Sequence, residues 1–263
     1  MQTPGHHLSA MRTAAPLVHN ITNFVAMNVQ ANVLLAVGAS PAMVHAREEV
    51  AEFAGLAQAL TVNIGTADAA WAAGMEEAAG VMDRAGRPWV FDPVGVGATR
   101  FRQDLSARLL ELRPTVVRGN ASEILALAGL GGAARGVDAG DAVAEAEEAA
   151  RLLARRTGGV VAVSGPVDFV TDGARALRVA NGHPMMAKIT VMGCSLNGVI
   201  AAFCVGQPVL EATAAALSAY GLAGELAGAQ AAGPGSFVPA FLDALHALTP
   251  GALDAGARIE AVA

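Results

Sequence analysis

Cysteine is scarce in this chain, and one of its two cysteines, Cys194, stands where it could do chemistry. It falls in the run Lys188-Ile-Thr-Val-Met-Gly-Cys-Ser-Leu-Asn-Gly-Val-Ile-Ala-Ala-Phe203, where a short β-branched segment, Ile189 to Val191, meets Gly193-Cys194-Ser195 and a small-residue apolar helix pattern follows. A helix that opens on small residues presents unpaired N–H groups and the positive end of its dipole, and together these attract an anion. A thiol in that first turn is expected to have its pKa lowered by the same dipole. Taken alone, the run fits either a phosphate-handling site with a thiol beside it or a buried loop-to-helix junction.

Other polar residues sit at the C-terminal ends of apolar runs: Asn63 after Leu60-Thr-Val, Asp92 after Trp89-Val-Phe, Arg118 and Asn120 after Pro114-Thr-Val-Val, and Ser164 after Val160-Val-Ala-Val. Each alone is explained by turn or cap chemistry. On one rim they supply the parts of phosphoryl transfer, which needs positioning and electrostatic stabilisation more than covalent chemistry. The amides of Gly193, Cys194 and Ser195 can hold the transferring group, and Arg118 can grip phosphate oxygens bidentately. Asp92 and Glu123 are acids able to engage magnesium, partly through water. Ser164 can contact nucleotide phosphates. There is no GxxxxGK[ST] and no GxGxxG after a strand, so neither the P-loop nor the dinucleotide fold is indicated.

These residues need elements to carry them. Thr22 or Asn23 is placed to cap a helix from Val25 to Val37 that stops at Gly38, with Asn28 and Asn32 at i, i+4 spacing in an apolar, buried-looking segment. Ser40 to Val44 reads as a turn and short strand, Arg47 to Leu60 as a helical repeat, and Leu60 to Gly65 as a strand. Asp68 caps a helix to about Arg84, Trp89 to Asp92 is a strand, Pro114 to Asn120 repeats its form, and Ser122 and Glu123 begin the next helix. Leu130 to Asp138 is a Gly- and Ala-rich surface connection, followed by an amphipathic helix from Asp141 to Arg156 and a strand from Val160 to Gly165. A hairpin turns at Asp172-Gly173, and helices follow near Ala212 to Ala231 and after Gly235-Ser-Phe-Val-Pro. From Leu60 onward strands alternate with helices, which is the βαβ pattern of an α/β fold with one mostly parallel sheet covered on both faces. Ligands gather at the carboxyl ends of such strands.

Composition agrees. A chain of 263 residues, 54% hydrophobic and 15% charged, suits one large domain, residues 1–263, with residues 1–15 and His6-His7 as a loose N-terminal tail. A net charge of −6 and the lack of a basic run argue against nucleic acid as a partner. Mean hydropathy is +0.45, and Ile189 to Leu210 carries no charge. Glycines, Ser195, Asn197, Gln207 and Pro208 break that stretch, which favours a buried helix and its loops over a membrane span. No secretory signal pattern opens the chain, so the cytoplasm is the expected compartment. Cys194 and Cys204 on one helix would lie about 15 Å apart, too far for a disulfide, and no Cys or His pair has zinc-ligand spacing.

His19-Asn-Ile-Thr-Asn-Phe24, Gly38-Ala-Ser-Pro-Ala-Met43, Asn63-Ile-Gly-Thr66, Asp92-Pro-Val-Gly95, Arg118-Gly-Asn-Ala-Ser-Glu123 and Gly193-Cys194 resemble hydroxyethylthiazole kinase of thiamine biosynthesis, in order from about residue 16 to Pro239. The resemblance implies the ribokinase-like three-layer fold and ATP- and magnesium-dependent phosphorylation of 4-methyl-5-(2-hydroxyethyl)thiazole. By position it gives Met43 to the thiazole, Arg118 and Ser164 to ATP (Ser164 standing where the family usually has Thr), and Asn120 and Glu123 to the N-x-x-E element that organises magnesium and phosphate. Cys194 falls where the wider superfamily has an aspartate base. A homotrimer with thiazole sites at subunit interfaces is implied as well, drawing on Asn20 to Asn32 and so on Asn23. One departure stands out: the family usually reads Gly-x-Gly-Cys where this chain has Val191-Met-Gly193-Cys194. Valine disfavours positive φ and adds bulk, so either the loop backbone shifts or the thiazole pocket shrinks.

Other readings keep part of this chemistry. The same fold serves a pyrimidine- or pyridoxal-type alcohol, a hydrolase would pair Cys194 with His19 or His183, and a binding protein would have lost transfer through the Val191 change.

Overall fold

The computed structural model describes residues 2–130 and 139–262. In chain order the elements are α1 (Pro4–Ala14), β1 (Leu17–Ile21), α2 (Met27–Val37), β2 (Ser40–Ala42), α3 (Val50–Leu56), β3 (Ala59–Asn63), α4 (Ala69–Ala85), β4 (Trp89–Asp92), α5 (Arg100–Glu111), β5 (Val116–Asn120), α6 (Ala121–Leu127) and α7 (Ala139–Thr157). They continue with β6 (Val160–Ser164), β7 (Asp168–Thr171), β8 (Ala176–Val179), a 3₁₀ turn (Pro184–Lys188), α8 (Met192–Phe203), α9 (Val209–Gly228), α10 (Pro234–Ala247), α11 (Pro250–Gly256) and β9 (Ile259–Val262).

The strands form one 9-stranded sheet in the order β2-β1-β3-β4-β5-β6-β7-β8-β9. From β2 to β6 every pairing is parallel, and the hairpin β7–β8 and β9 extend the sheet antiparallel. Strands buried on both faces read as continuous apolar runs, and β3 and β4 are buried throughout. Their side chains alternate between two cores. One face packs against α1, α2, α8, α9, α10 and α11, and the other against α3 to α7. The result is the three-layer α/β architecture expected from the alternating pattern.

Several expectations shift. Residues 4–14 are not a loose tail: Thr3 caps α1 and Pro4 sits in its first turn, Leu8 and Met11 enter the core, and His7 is buried. Ile189 to Val191 is not a strand, because the 3₁₀ turn ending at Lys188 precedes it and the chain enters α8 directly. The charge-free stretch is divided by the turn between α8 and α9, and no helix among the described residues is long and apolar enough to cross a membrane. Asn28 and Asn32 are exposed and bond to each other at 3.2 Å. The alternation begins before Leu60, with β1 and α2. The helix expected from Arg47 is shorter, at Val50–Leu56, and α10 starts earlier than expected, at Pro234. The connection expected to end at Asp138 lies outside the described residues, apart from Leu130.

Candidate active site

Carboxyl ends of β1, β3, β4, β5 and β6 share one rim, and α8, packed on β1, β3 and β4, opens onto it. Its N-cap is Val191, at φ 84° and ψ −23°. The backbone there has the left-handed conformation that suits glycine, and the valine side chain is buried, 8% exposed. Two residues on, Gly193 lies so close to Arg118 that a Cβ there would come within 2.7 Å of Nη1. A side chain there would push the guanidinium off the helix start.

Arg118 Nε donates to Ser164 Oγ at 2.6 Å, so β5 and β6 hold a cation beside the amides of α8. Both residues line a cleft of about 590 Å³ with Asp168, Gly193 and Tyr220. Such a volume suits a small cofactor or nucleotide. Asp168 accepts from the Gly165 amide at 3.0 Å. Burial pushes its carboxyl up to about 6, against that bond and the pull of Arg118.

On the other side of Cys194 lies a chain of amides. Asn23 Nδ2 donates to Cys194 Sγ at 3.3 Å and to Asn63 Oδ1 at 2.9 Å. Asn63 Nδ2 donates to Asp92 Oδ2 at 2.6 Å, and Asn197 Nδ2 reaches the same oxygen at 2.6 Å. Asn197 follows Cys194 by three residues, so one helix face carries both. Burial pushes the Asp92 carboxyl up to about 6; Arg118 pulls it back, Glu123 adds to the rise, and the two amides offset part of it. The same environment corrects the expectation for Cys194. Burial and the negative charge of Asp92 raise its thiol, outweighing the bonds from Asn23 and Asn63 and the attraction of Arg118.

Glu123 pins two strand-end loops, taking Gly95 N–H on Oε1 at 3.0 Å and Asn120 N–H on Oε2 at 2.9 Å. Asn120 answers as the cap of α6, accepting from Glu123 N–H at 3.0 Å. Met43 directly follows β2 at the rim's edge and is half-buried. The rim thus brings Cys194, Gly193, Asn23 and Val191 together at α8, with Arg118 and Ser164 on the cleft side. Asn120 and Met43 stand on the rim but outside the residues that line the cleft. His19 Nε2 lies 2.6 Å from Val44 O and His183 Nδ1 takes the Met185 amide at 3.2 Å, and neither ring is hydrogen-bonded to Cys194 among the described residues.

Sequence reasoning missed Asn197, Asp168 and Tyr220 and gave Asn63 no role. The available signals were an amide inside an otherwise apolar helix and the single tyrosine of the chain set among alanines.

A family model described as the hydroxyethylthiazole kinase family matches residues 8–251. The chain belongs to the hydroxyethylthiazole kinase family. Among relatives of that name, one from Cereibacter sphaeroides is 63% identical over 99% of this chain and 100% of its own. Another, from Rhizobium leguminosarum, is 57% identical over 98% of each chain. The solved structure of a hydroxyethylthiazole kinase from Pyrococcus horikoshii superposes with a TM-score of 0.92 at 40% identity, covering 99% of both chains. A Staphylococcus aureus pyridoxal kinase superposes with a TM-score of 0.66 at 16% identity over 94% of this chain and 97% of its own, a likeness of fold alone. The fold of this family member is ribokinase-like, and the chain is a kinase, for which ATP is the co-substrate.

Proposed function

We propose that this kinase transfers the γ-phosphate of ATP to the primary alcohol of 4-methyl-5-(2-hydroxyethyl)thiazole, a salvage step toward thiamine. The observation that carries the reading is the start of α8, with a cationic cleft on one side of Cys194 and an amide chain to Asp92 on the other. Relatives named for this activity, identical at more than half of all positions, support the choice of alcohol.

In this reading ATP lies in the Arg118–Ser164 cleft, and the thiazole approaches from the side of Asn23, Met43 and Val191. The hydroxyl oxygen attacks the γ-phosphorus in line, a new O–P bond forms, and the bond to the β,γ-bridging oxygen breaks to release ADP. The alcohol proton passes to Cys194 Sγ. The amides of Gly193 and Cys194 and the Arg118 guanidinium stabilise the charge on the transferring group.

The donor set fits magnesium. Both amides on Asp92 converge on Oδ2, leaving Oδ1 without a donor among the described residues, and Glu123 adds hard oxygens nearby. Magnesium keeps several waters and needs few protein ligands. Bound there, it would neutralise charge on the β- and γ-phosphates. Asn120 orders the same loops through its cap on Glu123. We take the chain as one kinase domain, a reading supported by the single sheet, and as a homotrimer, a reading supported by the exposed apolar residues flanking and on α2, Phe24, Val25 and Leu35; the cytoplasm is the compartment expected from the sequence.

Purified protein given Mg-ATP and hydroxyethylthiazole should form the thiazole phosphate and ADP in equal amounts. Inertness toward this alcohol beside turnover of a pyridoxal or pyrimidine alcohol would overturn the assignment. That second reading is favoured by one feature, a valine at positive φ at the N-cap of α8, where the family resemblance implies a glycine.

A further inference from the structure

Behind Val191, at φ 84°, lies a buried hydroxyl pair, Ser195 and Tyr220. Ser195 Oγ lies 3.0 Å from Val191 O and 3.4 Å from Met192 O. Tyr220 OH donates to Met192 O at 2.8 Å and lies 2.7 Å from Ser195 Oγ. Ser195 N–H also bonds to Val191 O, at 2.8 Å. Burial keeps the Tyr220 phenol protonated, so it remains a donor.

These bonds fix more than the carbonyls. In a trans peptide the C=O and the following N–H point in opposite directions. Val191 O is taken up within α8 by Ser195, and Met192 O is held by Tyr220 of α9; the Met192 and Gly193 N–H groups therefore point the opposite way, toward the strand ends where Arg118 lies against Gly193. A β-branched residue does not choose that backbone for itself. The chain lacks the residue that would adopt it freely and has a phenol and a hydroxyl behind it instead.

We propose that Tyr220 of α9 and Ser195 of α8 form a clamp that holds the start of α8 in its phosphate-facing conformation, supplying the backbone order that glycine would permit at position 191. Both are positioning residues acting through the Met192–Gly193 peptide. The proposal deepens the kinase reading and rests on it for its catalytic consequence, whereas the clamp itself is a matter of the backbone.

A substitution cycle tests it. Tyr220→Phe keeps the ring, which packs edge-on against Phe241 with centroids 4.7 Å apart, and removes only the hydroxyl. It should lower kcat about tenfold while moving the KM for the alcohol little, since the lost order acts on the transition state. In a Val191→Gly background the same substitution should cost about twofold or less, because glycine needs no clamp. Ser195→Ala should follow the same pattern. Equal fold-losses in both backgrounds, or no loss in the Val191 background, would overturn the clamp.

The melting temperature of the same variants gives a readout that needs no substrate: Tyr220→Phe should lower it more when Val191 is present than in the Val191→Gly background. If the wild-type protein proved inert on every alcohol, the kinase reading would fall and the melting cycle would still decide the clamp.

Discussion

Cys194 is asked to take a proton from an alcohol, yet its surroundings make the thiolate harder to form than in water. Burial and the charge of Asp92 both raise the thiol, and the amide of Asn23 at 3.3 Å recovers only part of that. A thiol raised above its ordinary value is mostly protonated at neutral pH, and the fraction able to act as a base grows as pH rises. Turnover should therefore climb with pH through the neutral and alkaline range. Cys194→Ser should flatten that climb and lower kcat by about 10²–10⁴-fold, the usual contribution of base assistance. Its KM for ATP should change by about twofold or less, because Arg118, Ser164 and the helix amides remain. A serine variant with wild-type kcat and an unchanged pH profile would remove the base role and leave Cys194 as an orienting group. The sequence placed this residue correctly at a helix start but not its protonation, because Asp92 and Asn23 are far away in the chain and meet it only in the fold.

Among the elements, α1 shows what a local reading cannot reach. Its N-terminal residues look like a tail, with a glycine and two histidines in the first turns. Gly5 is there because a Cβ would fall 2.3 Å from Pro250 O, a contact spanning nearly the whole chain. Arg12 does the tying, donating from Nε to Val37 O at 2.9 Å, from Nη1 to Leu248 O at 2.6 Å and from Nη2 to Leu245 O at 2.9 Å. It thereby caps the ends of α2 and α10 at once. Arg12→Ala should cost about 2–3 kcal/mol by leaving those carbonyls short of a charged donor. That corresponds to a fall in melting temperature of about 5–10 °C for a chain of this size, read by thermal denaturation. An unchanged midpoint would mean that α1 is dispensable. The strands that are legible in the sequence, β3 to β6, are those whose apolar runs need no partner to be recognised. By contrast β1 carries His19 and Asn20 inside it, and Asn20 is tolerated because Gln30 Nε2 and Thr61 Oγ1 reach its Oδ1 at 2.8 and 2.9 Å while its Nδ2 donates to Val18 O at 2.8 Å and Ala42 O at 3.3 Å. The end strand β9 is visible only once β8 is there to pair with it.

At the scale of the whole molecule, the site is open on one flank. Phe24, Val25 and Leu35 are 66%, 58% and 60% exposed. Leu35 shares the outer face of α2 with Asn28 and Asn32 at helical spacing. Large apolar residues exposed at both ends of one segment, with amides between them, suit a partly polar interaction face. This surface adjoins Asn23, whose amide reaches Cys194, so whatever covers α2 also walls the alcohol side of the site. A neighbouring copy in the proposed homotrimer is the occupant that the family resemblance implies, and its arrival would exclude water from the transferring group. The protein should therefore sediment at about three times its 26.4 kDa chain mass. Leu35→Glu, which plants a charge in the covered face, should release monomers. Because Leu35 is not among the residues lining the cleft, the monomer should still bind ATP through Arg118 and Ser164, while its KM for the alcohol rises steeply. Wild-type protein that is monomeric at concentrations where it turns over would show instead that one chain completes the site alone. The apolar start of α2 would then serve the thiazole directly, with Phe24 against the Trp71 ring as part of its wall.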